Sequence, residues 1–373
     1  MSSEPHNVQL PDAKWLRSFR RRLLTWYEKH SRDLPWRGIA DPYKVWVSEI
    51  MLQQTTTAAV EGFYRRFVER FPDVQTLAAA TDAEVLRYWE GLGYYRRATQ
   101  LHRAAQVIVS DHDGMFPNTF NVVWSLPGIG RYTAGAICSL AYHQRSPILE
   151  TNTIRLHSRL LAYPDDPTKS DGNKLLWQMA ELVLPESKRS ATSPQYARIN
   201  LALMDLGRLI CTPKSPGCAH CPVVSLCRSA QQGLHHLIPA MKTDKSFEER
   251  TEVAVVIKKC GKFLMIRYPE GVRWAGLWDF PRHELKHDGK QHDYVDYCTN
   301  VERLIGYRLT LHEQLAEFRH VVTRFKITLK VFAGEITTKK SEAKYQTEWI
   351  AANNLVMLAL NTTGRKIANI ITL

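Results

Sequence analysis

No stretch of this 373-residue chain is apolar for long enough to cross a membrane. The first ten residues are polar and hold no apolar signal-like core, so a cytoplasmic protein without a membrane partner is expected. Internal repeats and low-complexity tracts are missing, which excludes a repeat array and a disordered scaffold. Acidic residues are in deficit: 37 Asp and Glu against 50 Lys and Arg leave a formal net charge of +13. A surface of that sign attracts polyanions, and phosphate backbones are the commonest, yet charge alone identifies no partner. Cysteine is sparse. Of seven, three (Cys138, Cys260 and Cys298) are scattered with no framework spacing.

What is present is ordinary globular composition, 44% hydrophobic and 23% charged, in a chain long enough for two cores. From Pro11 to about Ile210 apolar residues recur at threes and fours, the period of helices, with little alternation. Asp12 caps a helix running to His30, Pro42 starts another, Thr81-Asp82 opens a third, and Gly91-Gly93 ends it before a helix from Tyr94 to about Ser110. Past Cys227 the pattern changes. The span 229–250 is polar with charges of both signs and reads as a linker. "EVAVVIKKCGKFLMIRY" then reads as two strands around a tight turn at Cys260-Gly261, and "FRHVVTRFKITLKVFAGEI" adds more strands after a helix near Tyr294 to Ile305. The expected organisation is a flexible N-terminus (1–10), an all-α region (11–228), the linker, and an α+β domain (251–373).

Four cysteines sit in one short loop: Cys211, Cys218, Cys221 and Cys227, spaced C-x6-C-x2-C-x5-C. Four thiolates so gathered suit an iron–sulfur cluster or a structural zinc. Zinc ribbons favour two CxxC pairs and only one is present, so the loop leans towards a [4Fe–4S] cluster. Two disulfides are the alternative, disfavoured without a secretory signal. Upstream, "SLPGIGRYTAGAI" (125–137) places a Pro-Gly-Ile-Gly turn between two helical segments. Gly128 and Gly130 let backbone amides approach a ligand, and a helix begins at Gly130, which offers donors and a positive helix end to a phosphate. An ordinary helix–helix turn would read the same in isolation.

Together, the hairpin, the cysteine loop and "WVSEIMLQQTT" resemble the helix-hairpin-helix DNA glycosylases that carry a [4Fe–4S] cluster. Within that superfamily the chain resembles the MutY family, adenine DNA glycosylases acting on A opposite 8-oxoguanine. The matching segments are "LPWR" (34–37), "DPYKVWVSEIMLQQT" (41–55), "GLGYYRRATQLHRAA" (91–105), "ALMDLG" (202–207) and, in a Nudix-like C-terminal domain, "WAGLWDFP" (274–281). No Nudix hydrolase box is present, so nucleotide pyrophosphatase activity is not expected there.

The resemblance implies roles for particular residues. Glu49 matches the general acid that protonates adenine. Its neighbours Trp46, Val47, Ile50 and Met51 favour the acid form. Tyr132 stands where bifunctional relatives such as endonuclease III carry a Schiff-base lysine, so a monofunctional glycosylase is implied. Asn152 matches an active-site asparagine. Arg32, Trp36 and Arg37 match the adenine pocket, while Gln54 and Tyr94, with Thr55 beside them, match residues pushed into the duplex as the base flips. Arg131 and Lys214 join Gly128 and Gly130 as contacts to the DNA backbone. The implied partner is duplex DNA with a mismatched or oxidised pair, bound by a monomer.

Three positions depart from the family. Glu150 replaces the catalytic aspartate of "DGN", one methylene longer, and a shift of about 1 Å can cost on the order of a hundredfold in rate. Leu201 replaces a Gln or Glu that reads adenine, removing a contact typically worth about 1–3 kcal/mol. Val322-Thr323-Arg324 replaces the Phe-Ser-His loop that recognises 8-oxoguanine. Three functions therefore stay open: adenine removal, a mismatch glycosylase of altered preference such as thymine from G·T, and a damage-binding sensor that no longer turns over.

Overall fold

The structure, a computed structural model, describes residues 8–186, 192–240, 247–285, 291–322 and 324–372. It divides into two compact units, Met1–Gln75 with Ala104–Thr243 and Thr76–Arg103 with Asp244–Leu373. Segment 76–103, which patterning leaves inside the helical region 11–228, thus groups with the C-terminal unit. Within it Tyr95 donates to the carbonyl of Leu360, and Glu90 takes the guanidinium of Arg365 at 2.6 and 3.0 Å.

Helices in chain order are α1 (Ala13–His30), α2 (Pro42–Leu52), α3 (Thr57–Arg70), α4 (Val74–Ala79), α5 (Asp82–Trp89), α6 (Arg96–Asp111), α7 (Phe120–Ser125), α8 (Arg131–Leu140), α9 (Thr151–Leu161), α10 (Ser170–Val183), α11 (Pro194–Leu209) and α12 (Arg228–Gln231). Local chemistry sets many of their starts. Asp12, Asp41, Thr81 and Ser193 each accept a backbone N–H at a helix N-terminus, and Pro42 and Pro194 follow two of these caps. One core of the first unit gathers Phe19 and Leu23 of α1, Leu156 and Leu160 of α9, Leu176 and Met179 of α10, and Ile199, Leu203 and Leu206 of α11. Val8 and Leu10 pack on it, and Arg228 donates to the carbonyl of Gln9 at 2.6 Å. Residues 8–10 are therefore held in place, unlike the flexible terminus expected over 1–10; residues 1–7 lie outside the described set.

The second unit holds a mixed sheet of β1 (Glu248–Lys259), β2 (Lys262–Arg267), β3 (Trp278–Asp279), β4 (Arg282–Leu285), β5 (Tyr307–Val322), β6 (Phe325–Lys339) and β7 (Gln346–Ala351), with α13 (Gln291–Ile305) and α14 (Thr362–Ile371). The order β3-β2-β1-β6-β5 makes β1 central; it runs parallel to β6 from Glu248 opposite Phe325 to Ile257 opposite Gly334. Both faces of β1 are covered, which explains its unbroken buried run from Glu252 to Ile257. Ala254 and Val256 pack with Ile367 and Ala368 of α14, while Val253, Val255 and Ile257 pack with Tyr297, Val301 and Leu304 of α13. The turn between β1 and β2 is Cys260-Gly261, both left-handed (φ 48 and 73), as a two-residue hairpin requires. Because α12 covers Arg228–Gln231 and β1 starts at Glu248, both ends of the 229–250 span carry regular structure. Among the described residues, no helix is long and apolar enough to cross a membrane.

α8 lies against the chain that leads into α9, and glycine makes this approach possible. A Cβ on Gly135 would collide with the carbonyl oxygen of Pro147. Gly135→Ala is therefore expected to destabilise the protein by about 1–3 kcal/mol, read as a lower urea midpoint with an unchanged slope.

Candidate active site

α2 is buried along almost its whole length, from Tyr43 to Met51. Glu49 lies within it at only 5% exposure, and an isolated carboxylate cannot be solvated there. Burial therefore pushes its pKa up to about 7; a hydrogen bond from Tyr132 opposes the rise, the charge of Glu150 adds to it, and Arg37 opposes it. Gly130 caps α8, which sets Tyr132 one residue inside the helix with its hydroxyl donating to Glu49 Oε2 at 2.6 Å. That hydroxyl also touches the sulfur of Met204 at 3.4 Å. Burial, followed by the charges of Glu49 and Glu150, raises the Tyr132 phenol well above its ordinary value, so it stays a donor.

Glu150 is the N-cap of α9, a place where shorter Asp, Asn, Ser and Thr are usual. The longer side chain still reaches: Oε2 accepts from the backbone N–H of Asn152 at 2.9 Å and from Asn152 Nδ2 at 3.1 Å, and Oε1 accepts from Thr153 N–H at 3.1 Å. Thr153 closes the box by accepting the Glu150 N–H at 2.8 Å. Burial raises the Glu150 pKa, and these donors act against the rise. α11 comes close beside the cap because Gly207 has no Cβ; one would sit 2.9 Å from both Cβ and O of Asn152.

The other sequence-selected residues fall as follows. Arg37 forks onto Asp205 at 2.6 and 2.8 Å, and Arg208 reaches the same carboxylate at 3.2 Å. Arg37 is thus committed to α11, its charge secured by Asp205 against the cost of burial. Trp36 is buried edge-on to Tyr64, whereas Arg32 is exposed. Leu201 packs on the core of the first unit and offers no hydrogen-bonding atom. Gln54, just past α2, is exposed with φ 59, and Thr55 beside it is half-buried. Tyr94, in the second unit, is 49% exposed with φ 47 and stacks with Arg97. Neither residue type favours the left-handed region, so both sites carry local strain. At the hairpin Gly128 has φ 73, which explains its glycine. Gly130 is different: its φ is ordinary and a Cβ there would meet nothing within 4 Å. Arg131 stacks on Trp177 at 3.8 Å, and Lys214 is exposed in the cysteine loop. Arg324 is exposed, 3.7 Å from Glu248; Thr323 lies outside the described residues.

All seven cysteines are free, which removes the disulfide alternative. Cys211, Cys218, Cys221 and Cys227 line one apolar cavity with Leu156, Val223 and Arg159. Among the described residues, no three His, Cys, Asp or Glu side chains stand where they could share a single ion. Four thiols around a common apolar void fit a cysteine-held metal centre. Buried cations complete the fit: Arg159 lies 3.3 Å from Cys211 Sγ and donates to the carbonyls of Thr212, Pro213 and Ile238. Arg155 donates to the carbonyls of Cys211 and Gly207 and to Asn152 Oδ1. These arginines and Asp205 were missed by sequence reasoning, although Arg155 and Arg159 stand four apart on the helix face that turns inward.

Helical fold, hairpin and buried acids together define a DNA-repair glycosylase scaffold. The model of the HhH-GPD superfamily base excision DNA repair proteins matches residues 47–181, and the NUDIX domain model matches 252–369. The adenine DNA glycosylase of Mus musculus is 30% identical over 98% of this chain and 80% of its own length. That of Buchnera aphidicola subsp. Schizaphis graminum is 36% identical over 83% and 85%. A solved thermostable thymine-DNA glycosylase is 29% identical, with a TM-score of 0.53 over 59% of this chain and 98% of its own. The chain belongs to the adenine DNA glycosylase family.

The Arg37–Asp205 pair joins the "LPWR" loop to α11, and Asp205 is 1% exposed. Asp205→Ala would strand two guanidinium groups, and a loss of about 3–5 kcal/mol is expected in urea unfolding.

Proposed function

We propose that this chain is a monofunctional DNA glycosylase that flips adenine mispaired with 8-oxoguanine or guanine out of duplex DNA and hydrolyses its N-glycosidic bond. The observation that carries this reading is the buried Glu49–Tyr132 pair. With a pKa of about 7, Glu49 holds a proton in a large share of molecules at neutral pH, and the tyrosine hydroxyl fixes its carboxyl. As the bond between C1′ and the base breaks, the bonding electrons leave with adenine and Glu49 gives it the proton. The sugar is left with oxocarbenium character, which the Glu150 carboxylate faces as a fixed counter-charge. Water then adds at C1′ and releases its proton to the emptied Glu49. No amine stands at Tyr132, so no Schiff base and no strand cleavage follow.

A Cβ at Gly130 would meet nothing within 4 Å, which leaves the hairpin open to a phosphate, and strained, exposed Gln54 is suited to enter the gap a flipped base leaves. The four cysteines would hold a [4Fe–4S] cluster, which ties down their loop and supplies no acid–base step. Purified protein is expected to carry about four irons per chain; stoichiometric zinc would contradict this assignment.

A second reading, thymine removal from G·T, is favoured by Leu201, which cannot read adenine by hydrogen bonding, and by the similarity to the thymine-DNA glycosylase. A sensor that does not turn over is disfavoured by the intact Glu49–Tyr132 pair.

Single-turnover assays on A·oxoG, A·G and G·T duplexes followed by alkali separate these readings. Adenine release is expected to fall roughly 100- to 10,000-fold in Glu49→Gln. Because the protonated acid is the active form, the rate should decline as pH rises through about 7. Tyr132→Phe removes a bond that stabilises the carboxylate, so its declining limb should move to higher pH. Release of thymine alone, or an adenine rate indifferent to Glu49, contradicts the proposal.

A further inference from the structure

Beside the hairpin lies an open groove of about 680 Å³ whose walls are Arg131 at the start of α8 and, along α10, Ser170, Asn173, Lys174, Trp177 and Gln178. Its charge is positive. Glu181 at the far end is held by Arg145, whereas neither Arg131 nor Lys174 forms an ion pair among the described residues. Arg131 lies on the indole of Trp177 at 3.8 Å. Stacking there spends one face of the guanidinium and leaves its N–H edge open, and it fixes a side chain that would otherwise lose rotamer freedom on binding. The clear space at Gly130 is immediately upstream of this arginine.

We infer that this groove is a second DNA-backbone site, in which a strand leaving the hairpin amides continues along α10 with phosphates on Arg131 and Lys174. Trp177 acts as a positioning residue: it touches no phosphate and holds Arg131 in place. Ser170, Asn173 and Gln178 add neutral donors, so the site follows the backbone without reading sequence. This inference rests on the DNA-glycosylase reading, and it concerns binding rather than excision.

Fluorescence anisotropy of an undamaged duplex across a salt series, using the full chain, tests it. Lys174→Ala changes an exposed side chain, and it should lower affinity and reduce the slope of log K against log salt by about one. Arg131→Ala should do the same. Trp177→Leu keeps both charges and should weaken binding about 2- to 5-fold, the loss of one exposed stacking contact. An unchanged salt slope in Lys174→Ala and Arg131→Ala would overturn the inference, whether or not the protein excises adenine. If instead no variant or parent protein releases a base while the slopes fall as stated, the groove stands and the catalytic reading fails.

Discussion

Glu49 is buried and feels the charge of Glu150, so a second negative charge is costly there. α2 surrounds Glu49 with apolar side chains and gives it a single donor, Tyr132. α9 surrounds Glu150 with three N–H donors and the positive end of a helix. The unequal supply of donors makes Glu49 the proton carrier and Glu150 the better place for the charge. Gly130 and Gly207 belong to the same arrangement, one starting the helix that aims Tyr132 and the other letting α11 close on Asn152.

α9 has a second task. Its N-terminus presents the Glu150 cap, and its inward face carries Arg155 and Arg159 into the carbonyls and sulfur of the cysteine loop. A single helix is thus fixed at one end by its own capping box and along its length by buried cations that an anionic thiolate site can balance. The helix, the loop and the core formed by α1, α10 and α11 hold one another in register.

Features governed by local chemistry were legible in the sequence. Asp12, Pro42 and Thr81 start the helices they announce, Cys260-Gly261 turns between strands, and the cysteine spacing marks its loop. Glu49 is picked out by its match to the family's general acid, with apolar neighbours within one helix. Pairings across the fold were not legible. Nothing near Arg37 in sequence identifies Asp205 as its partner, and a helical period cannot tell that 76–103 groups with the C-terminal unit, bonding Leu360 and Arg365. The replacement of Asp by Glu at position 150 looked like a loss of geometry. The capping bonds anchor the Glu150 carboxylate to the N-terminus of α9.

Set against the resemblance to its family, Leu201 and the sequence Val322-Thr323-Arg324 are proposed to bear on which base is removed rather than on how the bond is cut. The account of the cut rests on the proton of Glu49. Infrared difference spectroscopy with carboxyl-labelled glutamate, using Glu49→Gln to assign the band, measures that proton directly. A midpoint of about 7 is predicted, falling when the neighbouring charge is removed in Glu150→Gln. A midpoint near 4.5, unaffected by position 150, would contradict the account.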